Sequence, residues 1–296
     1  MGQWLELLVE PSQGGQRLDQ LLSTHFHQLS RAGWQKQIKS SFVLVDNQPV
    51  RSSHRVSPGE QVMAKLPDLA QTSLIKPDTK IQVLYQDDDV IVLNKPAGLI
   101  VHPSLTNTSP SVAAYFRSMI DDADEERPGV VHRLDKDTSG VMILARHQLA
   151  KKYLLNQFKN HLVGKSYLTL VWGHLKKPQA TIDLPIGRHT VRRTSMKVTS
   201  SGKSALSHYQ VEREYDRVSL VRVKIETGRT HQIRVHFAHL GHPVVGDRTY
   251  GRRPMPVGLH RQFLHAEEIS LQLPGGQKMT FTAPLANDLE DYLSRL

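Results

Sequence analysis

The densest group of potentially reactive side chains lies in one short segment near the middle of the chain. Residues 132–140 read His-Arg-Leu-Asp-Lys-Asp-Thr-Ser-Gly, and apolar, strand-like residues flank them on both sides. A polar loop on a rigid sheet is a common place for catalytic groups, and a carboxylate there can act as a covalent nucleophile. The alternative is a hairpin in which residues 137–140 simply form a turn. Composition alone favours that turn.

Further motifs along the chain favour the catalytic interpretation. Residues 132–135 with 138–140 resemble the signature of the RluA family of RNA pseudouridine synthases. Other blocks of that family follow in order: Asn94–Leu99 with Val101–Pro103, Lys165–Tyr167 with Val171–Gly173, Glu226–His236, and Gly241–Pro243 with Gly246–Asp247. The resemblance covers residues 80–285 and implies the pseudouridine synthase fold. Within the family, the chain is most similar to the ribosomal large-subunit pseudouridine synthase D branch.

The resemblance implies a role for several matched side chains. Asp135 matches the catalytic aspartate, and Tyr167 matches the active-site tyrosine that packs against the flipped base. Arg234 matches the arginine that pairs with the aspartate, and Arg229 is a second candidate for that pairing. Arg133 matches the arginine that enters the RNA helix where the target base leaves it. We therefore expect Asp135, Tyr167 and Arg234 to be catalytic.

These residue types suit the isomerisation of uridine to pseudouridine. That reaction breaks the bond between the ribose and uracil N1, rotates the base and rejoins it through C5, without redox change or net hydrolysis. We therefore expect no cofactor and no metal. An ionised carboxylate can attack, and a neighbouring arginine favours the ionised form. Base flipping costs on the order of a few kcal/mol, which a wedge such as Arg133 partly offsets. The sequence leaves open whether Asp135 attacks the sugar or the pyrimidine.

The segments around these motifs indicate an α+β catalytic domain. Ile81–Tyr85 and Val90–Leu93 are β-branched runs that flank a turn. Strand-like and helix-like segments then follow without a regular βαβ rhythm, which predicts a mostly antiparallel mixed sheet with flanking helices and loops. A helix predicted over residues 149–161 should pack Leu154 and Leu155 in the core.

The first 66 residues predict a small α/β domain. Residues 16–26 and 31–40 have helical patterns, and strand-like residues follow at 42–45 and 61–66. This stretch resembles an S4 RNA-binding domain, with Ser30 as the N-cap of the second helix. The motifs that carry this resemblance are Arg17–Asp19, Ser30-Arg31, Ile38, Val43–Asn47, Val56 and Pro58–Glu60. The sequence thus predicts an S4-like domain over 1–66, a linker over 67–80 and a catalytic domain over 81–296.

Two basic segments are candidates for contact with RNA phosphates. One is the second helix of the S4-like domain, and the other is residues 187–204, which resemble a loop of the longer RluA-type enzymes. Arg252, Arg253 and Arg261 would extend the second segment. A solvated helix face and a solvated hairpin are the alternatives. The predicted substrate contacts are Arg133, His132, Arg229, Arg31, Lys36, Lys39, Arg192 and Arg193.

A group of histidines near the end of the chain raises the question of a metal site. His231 and His236 are five residues apart, a spacing that fits neither face of a helix well. A strand would place them on opposite sides. We therefore interpret these two, together with His239 and His242, as sheet and RNA-surface residues.

Composition limits the remaining classes of function. The 296 residues carry a formal net charge of +10, which favours a polyanionic partner. There are no cysteines, so disulfides, thiolate nucleophiles and iron–sulfur clusters are excluded. The start of the chain has no signal-peptide pattern, and no apolar run reaches the roughly 20 residues that a membrane span needs. We expect a cytoplasmic monomer.

The leading hypothesis is an enzyme that isomerises uridines in large-subunit ribosomal RNA. The second is a non-catalytic RNA-binding or ribosome-assembly protein, because S4-like domains also occur there. The third is a hydrolase of glycosidic bonds, in which Asp137 would be the second carboxylate beside Asp135. Release of free uracil from RNA would support the third.

Overall fold

The computed structural model describes most of the chain. The described residues are 4–26, 29, 31–65, 80–103, 110–124, 127–189, 195–251 and 254–296, without the side chains of Ala32 and Lys36. The chain separates into two compact units, an N-terminal one and a larger one that contains residues 75–103 and 109–296. Several predictions therefore lie outside the described residues: those on Ser30, the side chain of Lys36, linker residues 67–79, Arg192, Arg193, Arg252 and Arg253.

The N-terminal unit packs two helices with a small antiparallel sheet. Its described elements are β1 (Trp4–Leu8), α1 (Leu18–His25), α2 (Arg31–Lys39), β2 (Val43–Val45), β3 (Gln48–Pro49) and β4 (Gln61–Lys65). The strand order is β1-β4-β2-β3. Leu18, Trp34 and Val62 lie fully buried in one apolar cluster between these elements. Both predicted helices and the predicted strands of this unit are confirmed.

Two short strands of this unit, β1 and β3, were not predicted. β1 pairs with β4, from Trp4 opposite Lys65 to Leu8 opposite Gln61. Its apolar residues do not alternate with polar ones, and its strand conformation depends on hydrogen bonds to residues almost sixty positions away. Local pattern carries no information about such a partner.

The buried carboxylate of Asp19 joins the two helices of the N-terminal unit. Arg17 Nε and Arg31 Nε donate to its two oxygens at 3.0 and 3.1 Å, and Gln35 Nε2 donates as well. Burial alone would raise the pKa of Asp19, but these hydrogen bonds outweigh burial and hold the pKa well below its usual range. The guanidinium of Arg31, a predicted RNA contact, is therefore already engaged with Asp19, although 48% of its side chain stays exposed.

Replacing Asp19 with Asn should loosen the contact between α1 and α2. We expect a loss of about 1–2 kcal/mol at pH 7, less than for a fully buried pair because both arginines are partly solvated. The folded-state pKa lies below the unfolded value of about 3.9, so this stabilisation is present above pH ~4 and is lost as the pH falls. Amide hydrogen exchange of α1 and α2 in wild type and variant measures it. An equal difference at pH 7 and pH 3 would contradict the assignment.

The larger unit is built on one twisted sheet. Its described strands are β5 (Gln82–Gln86), β6 (Val90–Lys95), β7 (Ser139–Ala145), β8 (Gly164–Trp172), β9 (Gln179–Asp183), β10 (Ile186–Arg188), β11 (Met196–Val198), β12 (Leu206–Glu214), β13 (Val218–Ile225), β14 (Leu264–Gln272) and β15 (Lys278–Thr282). Among the described residues, nine strands pair in the order β5-β6-β7-β14-β8-β13-β12-β9, with β15 beside β14. β10 and β11 form a separate hairpin. Only the β7–β14 pairing in the described sheet is parallel, which confirms the predicted mixed, mostly antiparallel sheet.

Four α-helices accompany this sheet in the described part of the unit: α3 (Val112–Phe116), α4 (Gln148–Lys159), α5 (Gln232–His239) and α6 (Asn287–Leu293). α4 confirms the helix predicted over residues 149–161. Leu154 is fully buried, but Leu155 is 42% exposed, so its predicted core position is wrong. Each helical residue is rotated about 100° from the one before it, and this step carries Leu155 away from the sheet. Within the described ranges, no helix has the length and apolar character to cross a membrane.

Candidate active site

The loop that carries Asp135 is fixed by the strand that follows it. All seven residues of β7 are buried, between β6 on one side and β14 on the other. Gly140 adopts a φ of 118°, and a Cβ at this position would overlap the backbone of Ala266. Only glycine therefore allows β14 to approach β7 so closely. Residues 131–138 lead directly into this buried strand, which fixes the position of Asp135 four residues before the strand begins.

The carboxylate of Asp135 forms an ion pair with Arg234. Arg234 Nη1 donates to Asp135 Oδ2 at 2.9 Å, although the two residues are 99 positions apart. The same guanidinium donates from Nε and Nη2 to both oxygens of Asp247, at 2.7 and 3.0 Å. The side chain of Arg229, the second candidate for this pairing, instead donates to the carbonyl of Ser204.

Arg234 is a permanent cation at this site. Burial alone would lower the pKa of its guanidinium, but Asp247 and Asp135 outweigh burial and raise the pKa further above its usual range. Asp247 is fully buried and also accepts the backbone N–H groups of Thr249 and Tyr250. The positive charge beside Asp135 is therefore held in place by a second, dedicated carboxylate.

Tyr167 contributes an aromatic surface to the same cleft. It lies on β8, is 9% exposed, and lines the cleft together with Asp135 and Arg133. Burial, and next the negative charge of Asp135, raise the pKa of the Tyr167 phenol. The phenol is therefore neutral at physiological pH and keeps its proton. The exposed side chain of Arg133 lies at the edge of this cleft.

Two buried basic side chains, Lys95 and Arg261, hold the loop around Asp135. Lys95 Nζ donates to the carbonyl oxygens of Pro96, Leu99 and Lys136 at 2.8, 2.8 and 3.0 Å. Burial lowers the pKa of Lys95 to about 7.

Arg261 connects the catalytic loop to the C-terminal helix. Its guanidinium donates to the carbonyl of Asp137 at 3.0 Å, to Ser139 Oγ at 3.0 Å, and to both carboxylate oxygens of Asp288 on α6. It is only 7% exposed. The prediction that Arg261 extends a basic RNA-contacting surface is therefore wrong, because its donors are all turned inward onto the protein.

Replacing Lys95 with Met should destabilise the fold and displace the catalytic loop. Met fills a similar volume but leaves three carbonyl oxygens without their donor, so we expect a loss of about 2 kcal/mol in the free energy of unfolding. Urea unfolding measures it. Lys136→Met is the matched control, because Lys136 is exposed and contributes only its carbonyl oxygen here. Equal urea midpoints for the two variants would contradict the role of Lys95.

His132 takes a place in the packing of the domain. Its Nε2 accepts the backbone N–H of Ile143 at 3.0 Å, and its ring stacks on Phe158 with the ring centroids 4.8 Å apart. Burial lowers the pKa of His132 to about 3, so the ring is neutral. This structural role differs from the predicted substrate contact.

The histidines near the end of the chain also differ from their prediction. His236 lies inside α5, is fully buried, and hydrogen-bonds Ser207 and the carbonyl of Leu184. His231 is the N-cap of the same helix, with a left-handed φ of 58°. The sheet and RNA-surface interpretation is wrong for His236, because the helix begins between the two residues and buries the second. No three histidine or acidic side chains within the described residues are placed to share a metal ion.

Known proteins of similar sequence decide the family. The family model described as RNA pseudouridylate synthase matches residues 89–239, which include Asp135, Tyr167 and Arg234. The chain belongs to the RNA pseudouridine synthase family. An S4 domain model matches residues 16–62, so this synthase also carries an S4 RNA-binding domain, as predicted.

Relatives of this synthase are similar over nearly its whole length. A Chloroflexus aurantiacus protein described as an uncharacterized RNA pseudouridine synthase is 41% identical, over 98% of this chain and 93% of that protein. The ribosomal large subunit pseudouridine synthase D of Pseudomonas aeruginosa is 39% identical, over 96% and 92%. A solved structure, human RNA pseudouridylate synthase domain containing 1, superposes with a TM-score of 0.57 at 27% identity, over 75% of this chain and 97% of that chain. The predicted activity, the predicted fold and an RNA substrate are confirmed.

Proposed function

We propose that this synthase isomerises specific uridines of large-subunit ribosomal RNA, with Asp135 as the nucleophile and the target base flipped into the cleft. One observation carries the assignment of Asp135. Its carboxylate lies in the cleft with one oxygen paired to Arg234, which itself is fixed by the buried Asp247. The ribosomal substrate is supported by the similarity to large subunit pseudouridine synthase D proteins over nearly the whole chain.

The reaction needs a nucleophile, a surface for the free base and a path for one proton. Asp135 attacks the nucleotide through its carboxylate, one oxygen of which is paired with Arg234. The bond between C1′ and N1 breaks, and the base rotates against the ring of Tyr167. A bond from C1′ to C5 then forms, and the bond between Asp135 and the nucleotide breaks, which restores the carboxylate. One proton leaves C5 and one is gained at N1. The neutral phenol of Tyr167 is suited to stack on the base and to carry the proton that leaves C5.

RNA binding uses charges outside the cleft. Arg133 is exposed at the cleft edge and fills the space that the flipped base leaves. Arg188 on β10 and Lys203, which pairs with Ile186 of the same strand, are exposed cations. Arg229 is partly exposed and lines the cleft. We assign the remaining phosphate contacts to the predicted set of Arg31, Lys36, Lys39, Arg192 and Arg193. We also propose that the chain divides into domains 1–66 and 81–296, which are joined by a linker. The protein is a monomer and is located in the cytoplasm.

The substrate is tested with RNA that carries no prior modification. Large-subunit and small-subunit ribosomal RNAs are transcribed in vitro and incubated with wild-type protein, and pseudouridines are mapped by carbodiimide labelling and primer-extension stops. We expect new stops at a few positions of the large-subunit RNA, and immature large subunits replace free RNA if the site needs bound proteins. Stops in small-subunit RNA alone would overturn the large-subunit assignment without affecting the activity.

A further inference from the structure

The ring of His231 lies between Asp135 and a tyrosine that none of the sequence motifs contains. His231 Nε2 is 3.8 Å from Asp135 Oδ1, and its other nitrogen, Nδ1, is 2.7 Å from the hydroxyl oxygen of Tyr250. The ring is 18% exposed and lines the cleft that holds Asp135 and Tyr167. Its backbone has a positive φ of 58°, a conformation that non-glycine residues adopt only when their surroundings impose it.

The hydrogen bonds of Tyr250 determine which ring nitrogen of His231 carries the proton. The backbone N–H of Met196 donates to the Tyr250 hydroxyl oxygen at 2.8 Å, so this bond uses an acceptor site of the phenol. Burial raises the pKa of Tyr250, and the phenol therefore keeps its own proton. Since the phenol has one proton to donate and His231 Nδ1 lies 2.7 Å from its oxygen, this arrangement favours donation of that proton to Nδ1. Burial also lowers the pKa of His231. The neutral ring then carries its single proton on Nε2, on the side of Asp135.

We propose that His231 is a substrate-positioning residue, which donates a hydrogen bond from Nε2–H to the target nucleotide beside Asp135, and that Tyr250 fixes the direction of this donor. The distance of 3.8 Å to Asp135 Oδ1 is too long for a hydrogen bond. The N–H is therefore available to an oxygen of the incoming nucleotide, either a ribose hydroxyl or a uracil carbonyl. This inference rests on the proposed function, in which Asp135 is the reacting carboxylate.

The hydrogen bonds of Tyr250 also link the cleft to the hairpin of β10 and β11. Met196 is the first residue of β11, and its N–H is the group that holds Tyr250. The ring of Tyr250 also packs under the guanidinium of Arg234, 5.2 Å from its centre. Tyr250 thus contacts the positioning histidine, the partner of Asp135 and the hairpin at once. A positioning role for Tyr250 follows from this placement.

Three variants separate hydrogen bonding from packing. His231→Gln keeps an N–H donor at a similar distance, His231→Leu keeps volume without a donor, and Tyr250→Phe removes only the hydroxyl. Single-turnover rates are measured at saturating RNA, together with RNA affinity. We expect His231→Leu to lower the rate about 10- to 100-fold with little change in affinity, since phosphate contacts elsewhere dominate binding. His231→Gln should stay within about threefold of wild type.

Nitrogen NMR of histidine-labelled protein tests the tautomer independently of activity. The His231 signal is identified by its loss in His231→Gln. We expect the Nε2–H tautomer in wild type and a mixture of tautomers in Tyr250→Phe. A His231→Leu variant with the wild-type rate, a His231→Gln variant as slow as His231→Leu, or an Nδ1–H tautomer in wild type would each overturn the inference. An active Asp135→Asn variant would instead overturn the proposed function, so the two failures are distinguishable.

Discussion

Replacing Asp135 with Asn is expected to lower the rate of pseudouridine formation by about 10⁴-fold or more, while RNA binding and stability change little. Asn has nearly the shape of Asp but cannot act as a carboxylate nucleophile, and the loss of a nucleophile typically has an effect of this size. The Arg234 guanidinium keeps Asp247 as its partner in the variant, so the surrounding charges remain balanced. Tritium release from RNA labelled at uridine C5, under single-turnover conditions, measures the rate.

Asp137→Asn is the matched control for this prediction. Asp137 lies two residues from Asp135 on the same loop. Its backbone carbonyl accepts from Arg261, and its carboxylate acts on the buried Lys95 only through its charge. That carbonyl is unchanged in the variant, so we expect a rate within about threefold of wild type. Equal inactivity of both variants would mean that the reaction needs both carboxylates, and would contradict Asp135 as the single nucleophile.

Replacing Arg234 with Met should impair both stability and activity. The side chain is 6% exposed, and its removal leaves the fully buried carboxylate of Asp247 without its charge partner. Losing one partner of a buried ion pair costs about 3–5 kcal/mol, and we expect the lower end because Thr249 and Tyr250 still donate backbone N–H groups to Asp247. The variant should be at least about 100-fold slower, since Asp135 also loses its cation. Urea unfolding and single-turnover rates measure the two effects.

Arg229→Met distinguishes this ion pair from the general loss of an arginine. Arg229 lies five residues earlier, is partly exposed, and its side chain donates to a backbone carbonyl. We expect it to change the free energy of unfolding by less than about 1 kcal/mol. Similar destabilisation by both substitutions would mean that the Asp135–Arg234–Asp247 cluster is not the reason for the effect.

The sequence motifs predicted that Asp135, Tyr167 and Arg234 belong to one site, and the structure places them in one cleft. This prediction was possible because each motif is a contiguous stretch of sequence. The loop of Asp135, the block with Tyr167 and the block with Arg234 are each recognisable alone, and the sheet brings them together. Amphipathic patterns likewise predicted α1, α2 and α4, since helical periodicity is a local property. The strand β1 was missed because its conformation depends on a partner strand far along the chain.

The residues that support the site were harder to predict because their roles arise only in three dimensions. Lys95 and Asp247 lie in recognised blocks, but nothing in their neighbours shows that one holds the loop and the other fixes Arg234. Tyr250 lies outside these blocks, and its contact with His231 spans a helix start and a loop. Arg261 has the composition of a surface cation, and only its burial shows that it binds Asp288.

The function proposed for the cleft of Asp135 is the isomerisation of uridine within the RNA chain. RNA labelled with tritium at uracil C5 and with carbon-14 in the uracil ring tests it most directly. We expect wild-type protein to release one tritium for each pseudouridine formed, with all carbon-14 staying in the RNA, and Asp135→Asn to release neither label. Free carbon-14 uracil from wild type, or tritium release by Asp135→Asn at the wild-type rate, would contradict it.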